Sequence, residues 1–176
     1  MTALVFGGTA SGKSEFAESL LENTTEKNKI YLATMEPFGR EGQSRISRHR
    51  EMRRNKGFLT LEQYTDLKSL IVEPDSAVLL EDLGNLCANE MFSPAGCGTE
   101  FACEEIWKGI RSLSDQVDHL IIVSNDIFAG CEQYDGEMAE YLSLLGTLHQ
   151  RIAQMADLVV EVVCSIPIYH KGGQKC

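Results

Sequence analysis

The sequence lacks the long apolar runs and paired cysteines that would mark a membrane-spanning or zinc-binding protein. No stretch of eighteen apolar residues occurs in its 176 residues, so we expect no transmembrane helix. The six cysteines form no C-x-x-C pair, and in a cytosolic protein we expect free thiols. A strand-like run begins at Ala3, which leaves no room for a signal peptide and favours the cytoplasm.

Positive charge is scarce as well. The chain carries 16 Lys and Arg against 26 Asp and Glu, and its net charge of −10 argues against general nucleic-acid binding. Internal repeats, linkers and low-complexity segments are also missing. With 43% hydrophobic residues, a chain of this length is expected to form one domain over residues 1–176 with a sizeable core.

What is present begins at the N-terminus. The short apolar run Ala3–Phe6 is followed at once by an octet that matches the phosphate-binding pattern G-x-x-x-x-G-K-[ST]. The context also fits, because a strand precedes the octet and helical spacing follows it from Glu15 to Leu21. We therefore predict a P-loop that binds a nucleotide through Gly7, Gly8, Thr9, Ala10, Ser11, Gly12, Lys13 and Ser14.

Each fixed position of the P-loop has a physical role. Gly7 and Gly12 are expected to permit positive φ angles and a close backbone approach that a Cβ would obstruct. Lys13 is predicted as a catalytic residue, because its ammonium would contact the β- and γ-phosphates. The Ser14 hydroxyl would be a ligand of Mg²⁺.

The segment Arg40–Lys56 has an unusual charge for this acidic chain. Seven Lys and Arg against two Glu give it a local charge of +5, so the rest of the chain carries −15. Arg45, His49 and Arg53 are spaced i, i+4, i+8, so on the predicted helix 45–55 they share one face. Spacing alone leaves two interpretations open: a solvated helix, or an active-site helix whose histidine is a nucleophile or proton carrier.

A second acidic element is expected of a P-loop enzyme. Ala77–Leu80 is an apolar run that ends in Glu81 and then Asp82. A carboxylate at such a strand end can hold Mg²⁺ or its water at the carboxyl edge of the sheet. We predict Glu81 as this residue, so that Ser14 and Glu81 form the metal site.

Apolar strands alternate with helical patterns along the whole chain. Continuous apolar strands of this kind predict an α/β fold with a mostly parallel sheet covered by helices on both faces. Asp66–Val72 is expected to be a short helix, and the last strand is expected to run from Leu158 through Lys171.

Several stretches, taken in order, make the chain resemble the bifunctional adenosylcobinamide kinase / adenosylcobinamide-phosphate guanylyltransferase family of cobalamin biosynthesis. The likeness covers essentially the whole chain, and the basic-helix motif R-I-x-x-H-x-x-x-R is its specific part. The matching residues are the P-loop octet, Tyr31–Thr34, Arg45-Ile46 with His49 and Arg53, Thr60 and Glu62, Leu79–Glu81 with Asn89, Ser124–Asp126, Gly146, Ala153, Ala156-Asp157 and Pro167.

The resemblance implies a RecA-like P-loop NTPase fold, an association as homotrimers, and two reactions. A kinase step with ATP or GTP phosphorylates adenosylcobinamide, a corrinoid, and a second step transfers GMP from GTP to that phosphate. The transfer passes through a guanylyl-histidine, which maps to His49. Thr34, Arg45, Arg53, Glu62 and Glu81 map to positions that bind nucleotide.

The chain also departs from the family pattern. Ala10 replaces a common arginine, His149 stands where asparagine is usual, and the segment Asn125–Gln133 lacks a glycine and a proline of the family. These departures keep two alternatives open: a P-loop kinase of another small molecule, and a degenerate paralogue that only binds nucleotide.

Overall fold

One sheet contains every strand in the part of the chain that the computed structural model describes, namely residues 1–22, 24–26, 28–37, 56–128 and 134–173. The strands are β1 Thr2–Gly7, β2 Asn28–Ala33, β3 Phe58–Glu62, β4 Ser76–Leu80, β5 His119–Asn125, β6 Leu158–Val163 and β7 Ile166–Lys171. Their spatial order is β3-β2-β4-β5-β1-β6-β7. Strands β1 to β6 pair in parallel and only β7 is antiparallel, which confirms the predicted mostly parallel sheet.

Helices cover the sheet between these strands. The described helices are α1 Lys13–Ser19, α2 Leu83–Phe92, α3 Thr99–Gln116 and α4 Glu137–Met155. Helix α1 begins at Lys13, two residues before the predicted Glu15, so the last two residues of the P-loop octet already belong to the helix. A single 3₁₀ turn, Leu67–Ser69, stands where the longer helix Asp66–Val72 was expected.

The core lies in two layers, one on each face of the sheet. Strand β1 shows the division, because Ala3 and Val5 pack in a cluster with Ala17 of α1, whereas Leu4 packs with residues of α2, α3 and α4. Alternate residues of a strand point to opposite faces, so a strand that is covered on both sides must be apolar throughout. This double burial explains why the strands read as continuous apolar runs.

The C-terminal segment forms a hairpin and does not form the single strand that the sequence predicted. Strand β6 ends at Val163, and Cys164 and Ser165 turn the chain so that β7 returns antiparallel to it. Both turn residues have positive φ angles, 48° and 64°. The turn was missed because neither residue is the glycine or asparagine that usually marks such a conformation.

The described residues bear on the expected free thiols and on the expected lack of a transmembrane helix. Cys87, Cys97, Cys103 and Cys164 are free thiols, as predicted. None of the described helices combines the length and apolar character needed to cross a bilayer.

Helix α3 packs closely on the 3₁₀ turn through Gly109. A Cβ built on Gly109 would lie 2.8 Å from the Leu67 Cβ and 2.9 Å from the Lys68 backbone nitrogen. Both distances are shorter than van der Waals contact, and the second atom belongs to the backbone. Gly146 of α4 offers a contrast, since its Cβ would meet only the Phe128 ring, at 3.6 Å.

We predict opposite effects of alanine at these two helical glycines. Gly109→Ala is expected to lower the free energy of unfolding by about 1–2 kcal/mol, because overpacking costs more than the ~1 kcal/mol gain in helix propensity. Gly146→Ala is the matched control and is expected to raise it by up to about 1 kcal/mol. Urea denaturation of both variants measures the difference, and a Gly109→Ala protein as stable as wild type would contradict the packing.

Helix α4 also contributes a half-buried histidine to the face of the sheet. His149 Nε2 lies 2.7 Å from the Ser124 Oγ of β5, and its ring packs against Phe6 and Phe128. Burial lowers the pKa of His149, and the Asp126 carboxylate opposes this only in part. His149 is therefore held preferentially in its neutral form.

This histidine should make stability depend on pH. The unfolded chain binds the His149 proton more tightly than the folded chain, so stability is lost as the pH falls below about 6.5, by at most about 1.4 kcal/mol per pH unit. Denaturation of wild type and His149→Gln at pH 7.5 and 5.5 tests this, with the exposed His170→Gln as control. We expect only His149→Gln to lose less stability than wild type on acidification, and an identical loss in all three would refute the assignment.

Candidate active site

Most of the residues that the sequence singled out lie at one edge of the sheet. Because β1 to β6 are parallel, their carboxyl ends meet at the same edge, and ligand sites of open α/β sheets form there. The structure places along this edge the P-loop after β1, Thr34 after β2, Glu62 at the end of β3, Glu81 and Asp82 after β4, and Asn125 at the end of β5.

The P-loop backbone is shaped by its two fixed glycines in different ways. Gly12 has a φ of 90°, and a Cβ there would lie 2.7 Å from the Ser165 Oγ. Gly7 does not have the positive φ that we expected. Glycine is required at that position by packing, because a Cβ would lie 2.4 Å from the Val162 carbonyl oxygen. The loop residue besides Gly12 that adopts a positive φ is Ala10, at 57°.

An open cleft of about 320 Å³ lies against the loop. Its lining consists of Ala10, Ser11, Gly12, Lys13, Ser14, Glu15 and Ser165. The Lys13 Nζ donates to the Gly8 carbonyl oxygen at 3.2 Å, so the ammonium lies back over its own loop. Burial lowers the pKa of Lys13, and the Asp82 carboxylate opposes this. The cleft therefore brings a cation and a hydroxyl together beside a glycine-rich turn.

Asp82 is held at this edge by hydrogen bonds to both of its carboxylate oxygens. Its Oδ1 caps α2 by accepting from the Gly84 and Asn85 backbone nitrogens at 2.8 and 3.3 Å, and its Oδ2 accepts from the Asn125 Nδ2 at 2.8 Å. Burial raises the pKa of Asp82, and these backbone hydrogen bonds, together with Lys13, oppose the rise. A carboxylate that is penalised by burial is stabilised further by any cation that binds beside it.

Glu81, the predicted metal ligand, lies next to Asp82 and is only partly buried. Its negative charge contributes to the raised pKa of Asp82, so the two carboxylates are close enough to interact. The sequence pattern assigned no role to Asp82. The signal was available, since an aspartate directly before a helical run is a typical N-cap.

Thr34 has a buried hydroxyl that the scaffold already uses. Its Oγ1 donates to the Asp82 carbonyl oxygen at 2.8 Å, and its own carbonyl oxygen accepts from the Asn89 Nδ2, also at 2.8 Å. The same Asn89 amide donates to the Tyr64 carbonyl oxygen at 3.0 Å. Thr34 and Asn89 thereby fix the ends of β2 and β4 and the segment after β3 relative to one another.

Glu62 lies at the far end of the edge. Four strand spacings separate β3 from β1, roughly 19 Å at about 4.8 Å each, and the Glu62 Oε2 accepts from the Tyr64 hydroxyl at 2.8 Å. The structure therefore does not bring Glu62 to the P-loop. His49, Arg45 and Arg53 lie outside the described residues.

The donors present suit a hard divalent cation. Magnesium is typically bound through one or two carboxylates together with phosphate oxygens and water, and Glu81 and Asp82 carry carboxylates at this edge, with the Ser14 hydroxyl in the cleft. Within the described ranges no group of three or more His, Cys, Asp or Glu is arranged to hold a metal ion.

Comparison with known structures agrees with this fold. The chain aligns over 99% of its length with the flagellar accessory protein FlaH from Methanocaldococcus jannaschii, at a TM-score of 0.50 and 10% identity, covering 81% of that chain. A protein of Pyrococcus horikoshii OT3, solved under the project name PH0250, gives a TM-score of 0.51 at 10% identity, covering 99% of this chain and 87% of that one. These likenesses show the fold and nothing finer.

Comparison of sequences identifies the family. Bifunctional adenosylcobalamin biosynthesis proteins named CobU from Salmonella typhimurium LT2 and Escherichia coli K12 are 28% and 26% identical to this chain, and each alignment covers 96% of this chain and 98% of the relative. CobP from Pseudomonas aeruginosa PAO1 is 27% identical over 98% of both chains. The model of the CobU family, described as cobinamide kinase / cobinamide phosphate guanyltransferase, matches residues 3–169. The chain therefore belongs to the cobinamide kinase / cobinamide phosphate guanyltransferase family.

Proposed function

We propose that this protein phosphorylates adenosylcobinamide and then transfers GMP from GTP to the product, giving adenosylcobinamide-GDP. The observation that carries the proposal is the assembly of the P-loop and the partly buried Asp82 at one sheet edge, in a chain that matches its family over residues 3–169. We take residues 1–176 to form a single domain that acts in the cytoplasm.

In the kinase step the substrate hydroxyl oxygen attacks the γ-phosphorus of ATP or GTP. A new P–O bond forms, the hydroxyl proton leaves, and the bond to the β-phosphate oxygen breaks. The P-loop backbone, Gly7 to Ser14, would hold the phosphates, and Lys13 would swing from the Gly8 carbonyl to their oxygens. Positioning and charge stabilisation supply most of the catalysis in such transfers.

We propose Ser14 and Glu81 as the protein ligands of Mg²⁺, with Asp82 beside them. Held by these residues, the ion would supply positive charge that neutralises the phosphates. Asp82 is suited to a positioning role, since its two oxygens already accept three hydrogen bonds from α2 and Asn125. Glu81 lies at the same edge and is only partly buried. Its carboxylate is therefore accessible to a metal ion that binds beside the nucleotide.

In the guanylyl step we propose His49 as the nucleophile. The neutral imidazole nitrogen attacks the α-phosphorus of GTP and pyrophosphate leaves; the phosphate of the kinase product then displaces the histidine and forms the P–O–P bond of the product. On the helix predicted from the sequence, Arg45 and Arg53 would lie one turn on either side of His49, where they would disfavour the charged imidazolium and neutralise the triphosphate.

Thr34 and Glu62 were predicted to contact nucleotide through the family resemblance. The buried Thr34 hydroxyl supports an indirect role, in which it fixes the backbone of Asp82. Glu62 ends the strand that follows the segment containing His49, roughly 19 Å from β1. We propose that it contacts the guanylyl donor rather than a nucleotide on the P-loop.

We also propose a homotrimer. Strand β7 is an edge strand of the described sheet, and it exposes Ile166, Ile168 and Tyr169. Unpaired edges with apolar side chains favour association with another chain. Sedimentation equilibrium measures the assembly directly.

The metal assignment predicts different effects for the two neighbouring carboxylates. Glu81→Gln is expected to raise the Mg²⁺ concentration for half-maximal kinase activity at least tenfold, because it removes a carboxylate ligand of the ion. In Asp82→Asn the new side-chain N–H donor would face the N–H donor of the Asn125 amide, so that hydrogen bond is lost. We expect this variant to lower the free energy of unfolding by about 1–3 kcal/mol. Lys13→Ala serves as control, with activity lost at every Mg²⁺ concentration and the fold intact. An unchanged Mg²⁺ requirement in Glu81→Gln would remove it from the metal site.

The histidine assignment is tested by intact mass after incubation with GTP and Mg²⁺. Wild type is expected to gain the mass of one GMP, in an acid-labile form, and His49→Ala to gain none because the nucleophilic nitrogen is missing. His170→Gln is the control and should keep the adduct. If His49→Ala still accumulates GMP and completes the transfer, the histidine is a bystander, and a P-loop kinase of another small molecule becomes the better interpretation.

A further inference from the structure

The turn between β6 and β7 holds two residues in a conformation that disfavours them. Cys164 and Ser165 have φ angles of 48° and 64°. Two-residue hairpin turns often require positive φ at both positions, and asparagine and glycine dominate there. Other residues are strained in the left-handed region, and both of these side chains are exposed, so burial does not offset that strain.

This strained turn lies directly on the P-loop. The Ser165 backbone nitrogen donates to the Ser11 carbonyl oxygen at 2.7 Å. The Ser165 side chain fills the space that the missing Cβ of Gly12 leaves free, since a Cβ built there would lie 2.7 Å from its Oγ. Ser165 also completes the lining of the cleft that is otherwise formed by residues 10–15.

The backbone contact and the side-chain position have separate consequences. The hydrogen bond to Ser11 uses only the Ser165 main chain, so any residue except proline can make it. Glycine would make the same bond without the strain of the left-handed conformation. The hydrogen bond that anchors the P-loop therefore explains why the turn lies here, but it does not explain why the residue at position 165 is a serine.

We propose that Ser165 is an additional ligand-binding residue of the P-loop site, whose hydroxyl donates a hydrogen bond to a phosphate oxygen of the bound nucleotide. The inference rests on the proposed nucleotide-binding function. Ionised phosphate oxygens accept hydrogen bonds and have no proton to donate, and a hydroxyl supplies a donor that can rotate toward them. The cleft thus gains a side-chain donor from a turn that lies more than 150 residues beyond the loop in sequence.

Three variants separate the hydroxyl from the turn. Ser165→Ala removes the hydroxyl and keeps the strain, Ser165→Gly removes both, and Cys164→Gly relieves strain at the neighbouring position and keeps the hydroxyl. All three retain the backbone hydrogen bond to Ser11. Calorimetric titration uses Mg²⁺ with ADP or GDP, whichever wild type binds more tightly, and melting temperatures are measured in parallel.

We expect both Ser165 variants to bind the nucleotide about tenfold more weakly than wild type. Ser165→Gly should do so with a melting temperature at or above that of wild type, and Cys164→Gly should keep wild-type affinity. Titration with Mg²⁺ and inorganic pyrophosphate should show the same loss in the Ser165 variants, because the contact is to phosphate.

Four results would overturn the proposal. Wild-type affinity in Ser165→Ala would show that the hydroxyl makes no contact, and restored affinity in Ser165→Gly would assign the effect to turn strain. If the Ser165 variants bind the nucleotide more weakly but bind pyrophosphate as tightly as wild type, the hydroxyl contacts the nucleoside and not a phosphate. Failure of wild type to bind either nucleotide would refute the P-loop site itself, and this outcome is distinct because no variant is needed to see it.

Discussion

The parallel pairing of β5 with β1 on one side and β4 on the other is the interaction on which the rest of the site depends. It sets Gly7 opposite Asn125 and Leu80 opposite Ile122, so the P-loop and the acidic end of β4 are separated by one strand. The Asn125 amide spans that gap and binds Asp82. A shift of one residue in either register would reverse the faces of the buried side chains and move this amide away from the carboxylate.

The electrostatics of the edge follow from the same arrangement. Lys13 and Asp82 are both disfavoured in their charged forms by burial, and each lessens the penalty of the other. Opposite charges that are partly withdrawn from water interact more strongly than they would on the surface. A triphosphate and its cation would bring further charges of both signs to this edge, which is why we regard the site as prepared for a ligand.

Helix α2 connects this edge to the outer part of the sheet through two consecutive side chains. Asn89 donates to the carbonyl oxygens of Thr34 and Tyr64, and the buried Glu90 carboxylate accepts from the backbone nitrogens of Asp66 and Cys97. Backbone groups in loops need partners when they are buried, and these two side chains supply them. The loops after β2 and β3 are thus held to the same helix that Asp82 caps.

The sequence alone determined the parallel sheet, the P-loop and the family, because each is encoded in residues that are close together in the chain. Apolar runs gave the strands, the octet from Gly7 to Ser14 gave the loop, and ordered motifs gave the resemblance that the family comparison confirmed. The tertiary structure decided what depends on distant partners. Glycine is required at position 7 because of the Val162 carbonyl and not because of its φ, and Asp82 is hydrogen-bonded to Asn125. The hairpin at Cys164 brings Ser165 into contact with the P-loop, which lies more than 150 residues earlier in the sequence. Such contacts arise from packing of the sheet edge, and no local pattern of residue types records them.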